Sequence, residues 1–246
     1  MMRTMVPLEW FKMRRLHLIP IMLVPTAAGF LFASRFFSGD EQKSWEDALL
    51  ALSMAMSLTM PLVLAVVATR QTDIEHSSGG WLVAASIGSN PGALCRAKFF
   101  ALAPIILAVT TLSVGFHILL GKLSGLGPIA EGNQYWVSFW LGLCVVNLWL
   151  IAFHIVLSAR FESQAIGMGI GVVGAFIACF SYLIPTDSIA VKILPWSYYA
   201  NATTATFNAE GIAEYVALNW VPTVVFAALG IGAFTLVTAK MNTKEQ

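Results

Sequence analysis

Six long apolar stretches run through this chain, and their length constrains its fold more than any other feature. A helix that crosses the hydrocarbon core of a bilayer needs about 20 mostly apolar residues. The first stretch runs from His17 to Phe37, the second from Ala48 to Thr69 and the third from Ala97 to Leu120. The fourth runs from Tyr135 to Ala159, the fifth from Gln164 to Pro185 and the sixth from Tyr215 to Ala239. No Asp, Glu or Lys interrupts their interiors, and Arg35, near the end of the first, can snorkel outward. Only 11% of the residues are charged, against about 25% in a soluble domain. Most of the surface therefore faces lipid. The fold class expected is an all-α integral membrane protein, a single domain over residues 1–246 with six transmembrane helices. An interfacial helix at the N-terminus and a short cytoplasmic helix between spans two and three complete it.

The basic residues orient the spans. Arg3, Lys12, Arg14, Arg15, Arg70, Arg96, Lys98, Arg160, Lys240 and Lys244 fall on one side, which makes ten. Arg35, Lys43, Lys122 and Lys192 fall on the other, which makes four. The richer side is the cytoplasmic one, so both termini are expected there. The first apolar run is long enough to span and ends in no cleavage-like site, so it reads as a span and not as a removable signal peptide. Net charge is +1, which suggests no nucleic-acid partner. Cys95, Cys144 and Cys179 are far apart, form no CxxC pair and read as small apolar residues.

Pro20, Pro25, Pro61, Pro104 and Pro222 lie within the spans. Each can kink its helix, either as a tolerated feature of membrane helices or as a hinge. Gly167, Gly171 and Ala175 repeat every four residues along span five, placing small side chains on one face where another backbone can approach. The approaching helix could belong to this chain or to a second copy.

Three segments outside the spans carry information. The stretch from Arg3 to Leu16 mixes bases with Trp10, Phe11, Met13 and Leu16, as an interfacial helix does. The stretch after span two holds Glu75, then Gly79-Gly80, the apolar patch Trp81 to Ile87, the turn Asn90-Pro91, and finally Arg96 and Lys98. A short helix fits this patch, either docked in a groove of a soluble partner or resting on lipid. The outer segment from Thr186 to Glu214 carries Pro195-Trp196-Ser197-Tyr198-Tyr199, aromatics suited to the membrane boundary, and could be re-entrant in part.

No catalytic constellation emerges. His17, His76, His117 and His154 stand one per region without metal-ligand spacing. Asn147 and His154, seven apart on one helical face, suit interhelical hydrogen bonding or the lining of a substrate path. Gly115 and Gly121-Lys122-Leu123 fail as a phosphate loop, because the spacing is too long and Leu123 stands where a hydroxyl is needed. The spans hold no carboxylate for an ion-coupled carrier. Energy for uphill transport is therefore expected to enter from another chain, through the segment after span two.

Six spans, the N-terminal stretch Leu8-Glu9-Trp10-Phe11-Lys12 and a helix-bearing loop after span two resemble ABC-2 type permeases. Glu75-His76-Ser77-Ser78-Gly79-Gly80-Trp81, followed by Asn90-Pro91 and Arg96-Ala97-Lys98, looks like the coupling segment of lantibiotic-immunity permeases. Leu194-Pro195-Trp196-Ser197-Tyr198 resembles their outer segment, whereas Gly88-Ser89-Asn90-Pro91 departs from the Leu-Pro turn expected there. The resemblance implies two permease subunits, identical or different, each docking a cytoplasmic ABC ATPase. It implies that this chain has no cofactor or ATPase site of its own, with ATP and Mg held by the partner. It further implies expulsion of an amphipathic antimicrobial peptide, or another amphiphile, from a bacterial cytoplasmic membrane. On that reading Trp81, Leu82 and Ile87 contact the ATPase, while Glu75, Arg96 and Lys98 orient the segment through ion pairs. The rival expectations are a self-sufficient membrane enzyme or carrier, and a membrane assembly or sensor protein that transports nothing.

Overall fold

The computed structural model describes residues 2–38, 44–86, 88–129, 132–185 and 188–241. Ile87, Thr186 and Asp187, which figure in the expectations above, lie outside the described residues. Ten α-helices and one two-stranded hairpin are described: α1 (Met2–Arg15), α2 (Leu18–Ser34), α3 (Trp45–Ser77), α4 (Gly80–Ser86), α5 (Pro91–Leu123), α6 (Asn133–Arg160), α7 (Gln164–Phe180), α8 (Ile189–Ile193), α9 (Tyr198–Ala202), β1 (Ala205–Phe207), β2 (Ala213–Tyr215) and α10 (Trp220–Met241). The protein is an all-α integral membrane protein. Helices α3, α5, α6 and α10, and α7 with the 3-10 turn that extends it to Leu183, are each long and apolar enough to cross a bilayer, and α2 joined to α1 across a 64° bend is a sixth candidate span.

That bend is local in origin. His17 at the break has φ 53, the left-handed region that few non-glycine residues adopt and that histidine tolerates better than most. The turn lays α1 across the end of the bundle. Leu8, Trp10 and Phe11 stay exposed while Glu9 and Met13 are buried, as an interfacial helix requires.

Helix α3 opens with a capping box: the Asp47 amide donates to Ser44 Oγ at 3.1 Å, and the Ser44 amide donates to Asp47 Oδ2 at 3.4 Å. It is 33 residues long, about 50 Å at 1.5 Å per residue, well beyond the ~30 Å hydrocarbon thickness. Its last turns therefore project past the apolar layer, and so does the start of α5, also 33 residues long. The stretch between spans two and three is consequently mostly helical extension, shorter as a connection than hydropathy suggested. Only residues 78–90 join the two helices. Gly79 and Gly88, at φ 66 and φ 75, turn the chain on either side of α4 in a conformation natural to glycine. Pro91 then starts α5 at a position where its missing amide hydrogen costs nothing.

Helix α3 is the core of the bundle, with Leu49, Leu52, Met56, Met60 and Leu64 fully buried. It packs against α2, α6 and α7. The small face of α7 lies along it: a Cβ on Gly167 would overlap the Thr69 hydroxyl, and one on Gly171 would overlap Ala65. Helix α10 is the least enclosed, exposing Val221, Val224, Leu229, Ile231 and Leu236.

At the opposite end from α1 and α4, the chain between α7 and α10 folds back onto the bundle. Tyr199 is fully buried and its hydroxyl donates to Asn147 Oδ1 at 2.6 Å. Ser53, Tyr182 and Thr203 form a triangle of hydroxyls at 2.5 to 3.0 Å. Ala205 then pairs with Tyr215 to begin the antiparallel hairpin. The last helix begins at Trp220, not at Tyr215 as hydropathy suggested, because residues 213–215 are spent on that pairing.

Candidate functional site

At the end of the bundle that carries α1 and α4, four charged side chains meet in a buried cluster. Glu9 and Lys12 lie three apart on α1 and so share a face. Glu75 stands one turn beyond Gln71 near the end of α3, and Lys98 sits two turns into α5. Lys98 Nζ lies 2.9 Å from Glu9 Oε2, 2.9 Å from Glu75 Oε1 and 3.0 Å from the Gln71 carbonyl oxygen. An ammonium has three N–H donors, and here each has an acceptor. Lys12 bridges the same carboxylates from the more open side, at 2.7 Å from Glu9 and 2.6 Å from Glu75. The Gln71 amide nitrogen donates to Glu9 Oε2 at 3.2 Å.

Lys98 is 0% exposed, Glu9 1% and Glu75 4%. Removing an ion from water costs several kcal/mol after relaxation, so such a cluster survives only when its charges balance and its donors are used. Two carboxylates face two ammoniums here, and both conditions hold. Burial works against the charge on Lys12, but its hydrogen bonds to Glu75 and Glu9 outweigh that and hold its pKa above the ordinary lysine value.

A second latch joins α3, α4 and α6. The Trp81 indole N–H donates to His76 Nδ1 at 3.2 Å. His76 must then carry its proton on Nε2, which donates to the Ser158 carbonyl at 2.9 Å. One turn deeper, the hydroxyls of Thr69 and Ser158 meet at 3.1 Å. Helix α4 is thus held on one side. Trp81 is half-buried, and it packs with Met5, Ala84, Leu94 and Ala97. The next two residues face outward, with Leu82 78% and Val83 61% exposed.

The expected site residues are therefore distributed unevenly. Glu75 and Lys98 meet in an ion pair, whereas Trp81 turns into its own chain and Leu82 turns away. Arg96 makes no ion pair among the described residues; its Nη1 donates to Thr238 Oγ1 of α10 at 3.0 Å. Asn147 links three elements, accepting from Tyr199 and donating to Thr110 Oγ1 at 2.9 Å. His154 is fully buried but neither ring nitrogen has a polar partner among the described residues. Its ring lies edge-on to Phe153 and Trp196, with centroids at 5.3 and 6.3 Å. Gly167, Gly171 and Ala175 are all buried on α7.

Residues 5–178 match the family described as ABC-2 family transporter protein, a stretch holding every member of the ionic cluster, the Trp81–His76–Ser158 latch and the whole of α4. The chain belongs to the ABC-2 transporter family. It is a multi-pass membrane permease subunit of an ABC transporter. No protein of curated function matches the sequence.

The permease's cluster includes three residues that were not candidates on sequence grounds: Glu9, Lys12 and Gln71. The available signal was Glu9, the one acid on a basic and aromatic α1, placed three residues before Lys12, together with Gln71 and Glu75 one turn apart where α3 outruns the apolar layer. A further constraint is Gly80, whose Cβ would overlap the Glu75 carboxylate and crowd its Cα at 3.1 Å. The carboxylate cannot swing aside without leaving both lysines. Gly80→Val is accordingly expected to open the cluster and to speed proteolysis within residues 78–90, whereas Gly79→Ala, with open space around it, should leave the cluster closed and suffer only its backbone strain.

Proposed function

We propose that this permease is the membrane part of an ATP-driven exporter and that α4 is where a soluble ABC ATPase docks. The supporting observation is the two-sided character of α4. Leu82 and Val83 are presented outward, while Trp81 on its other side packs with Met5 of α1 and with Leu94 and Ala97 of α5 and donates to His76 of α3, which bonds the Ser158 carbonyl of α6. A push on Leu82 would reach four helices without passing through a flexible joint. On this reading the α1 and α4 end is cytoplasmic, in keeping with ten Lys and Arg on that side against four on the other. Glu75 and Lys98 hold the docking helix in place, with Glu9 and Lys12 completing their pairing. ATP and Mg belong to the partner chain, and a second permease copy, identical or different, completes the pore.

The cargo proposed is an amphipathic antimicrobial peptide, expelled from a bacterial cytoplasmic membrane to protect the cell. Its support is the likeness of residues 75–81 and 194–198 to lantibiotic-immunity permeases. Another amphiphile is the alternative, and peptide panels distinguish the two by stimulation of ATP turnover in the rebuilt complex.

The docking proposal is tested with Leu82→Asp and Val83→Asp. An exposed apolar pair at the centre of an interface contributes a few kcal/mol, so ATPase co-purification should fall by about tenfold or more. Melting temperature and membrane insertion should be unchanged, because neither side chain packs inside the permease. Wild-type retention of the ATPase by both variants would rule out α4 as the docking helix.

A further inference from the structure

We infer that a groove between α5, α6 and α10 binds an anionic phospholipid, with one acyl tail lying in the groove and the phosphate on Arg96. The groove has a volume of about 420 Å³. Its walls include Phe99, Trp149, Ala227, Gly230 and Phe234, with Arg96 among its lining residues. Of the other polar groups in the lining, the Thr235 hydroxyl is committed to the Ile231 and Gly232 carbonyls, and the Trp149 indole N–H is buried without a partner among the described residues. A Cβ on Gly230 would overlap the Trp149 indole, so glycine at this position lets the ring lie flat against α10 and keeps the channel open. Along α10 the lining extends from Ala227 to Thr235, and Thr238, the partner of Arg96, is 11 residues beyond Ala227. At 1.5 Å per residue that is about 16 Å, close to half of a ~30 Å hydrocarbon core and so the reach of one lipid tail.

Charge decides the headgroup. Lys98, two positions from Arg96, is fully buried and neutralised by two carboxylates. Arg96 is half-buried and has the Thr238 hydroxyl as its hydrogen-bond partner, with no carboxylate within ion-pair distance among the described residues. A guanidinium has five N–H donors in a planar fork suited to phosphate. An apolar channel that ends in a guanidinium with no carboxylate partner among the described residues complements an anion with a hydrocarbon tail, and the surrounding bilayer supplies that molecule.

The test uses the full-length permease in detergent, titrated with phosphatidylglycerol or phosphatidylcholine and read by native mass spectrometry and by melting temperature. Phosphatidylglycerol should be retained and should raise the melting temperature more than phosphatidylcholine. Arg96→Gln should weaken phosphatidylglycerol binding by about tenfold or more, the scale of a charge-assisted contact, and abolish the preference. Arg96→Lys should keep the preference, which separates lost charge from lost folding. Ala227→Phe should block both lipids by filling the groove. Undiminished preference in Arg96→Gln overturns the inference. So does loss of the preference in Arg96→Lys, or disulfide cross-linking of two Ile231→Cys permeases across this face, which would make the groove an interface between copies.

Discussion

Lys98→Met is expected to release α1 from the rest of the permease. The substitution leaves two carboxylates, Glu9 and Glu75, facing the single ammonium of Lys12 in a site where both are at most 4% exposed. Breaking a buried ion pair by removing one partner costs about 3–5 kcal/mol, because a charge remains buried without compensation. Lys98 also donates to the Gln71 carbonyl oxygen at 3.0 Å, so α5 loses a direct hydrogen bond to α3 at the same time. The measurement is hydrogen exchange across residues 2–15 and 71–98, together with the melting temperature in detergent. Exchange of α1 should rise steeply while that of the α6 segment around Asn147, which is tied to Tyr199 toward the opposite end of the bundle, changes little. Adding Glu75→Gln restores neutrality to the buried set, so the double variant should recover part of the loss, a positive coupling between the two sites. Unchanged protection of α1 in Lys98→Met would mean that apolar packing, and not the ion pairs, holds that helix.

Gly171→Leu is expected to force α3 and α7 apart. A Cβ at Gly171 would overlap the Ala65 Cβ and approach the Pro61 carbonyl oxygen at 3.3 Å, and both belong to the most enclosed helix of the bundle. Overpacking of this kind costs about 1–3 kcal/mol when side chains can give way. Here the obstacle is a backbone-proximal methyl and a main-chain carbonyl, which cannot. Gly169→Leu provides the internal control, because nothing lies within 4 Å of a Cβ there. Both variants gain the same helix propensity, about 1 kcal/mol relative to glycine, so the difference between their melting temperatures isolates the packing cost. Gly171→Leu should melt lower than the wild type, and Gly169→Leu should not. Equal melting temperatures would show that α7 does not depend on close approach to α3.

The apolar runs located the helices because hydrocarbon admits few backbone structures, and a run of ~20 apolar residues must be a helix there. Their ends were less legible. Ala213–Tyr215 reads as the start of the last span by hydropathy, yet it pairs with Ala205–Phe207. The link after span two reads as a long loop because Gln71, Thr72 and Glu75 are polar, yet they continue α3 and are buried. Asn147 and His154 look equivalent on a helical wheel. They differ in the fold because the chain between α7 and α10 returns Tyr199 to the first and only the ring of Trp196 to the second.

Sequence alone determined that this chain is threaded through a bilayer and the small face of α7, since each follows from the length and periodicity of apolar residues against a uniform solvent. The tertiary structure alone decided which charges neutralise each other. Glu9 and Lys98 are separated by 89 residues, and Lys12 and Glu75 by 63. An ion pair forms only within a few ångströms and survives burial only when every donor finds an acceptor. That condition belongs to the arrangement of α1, α3 and α5 in space, and it explains why two bases as close as Arg96 and Lys98 end in opposite environments.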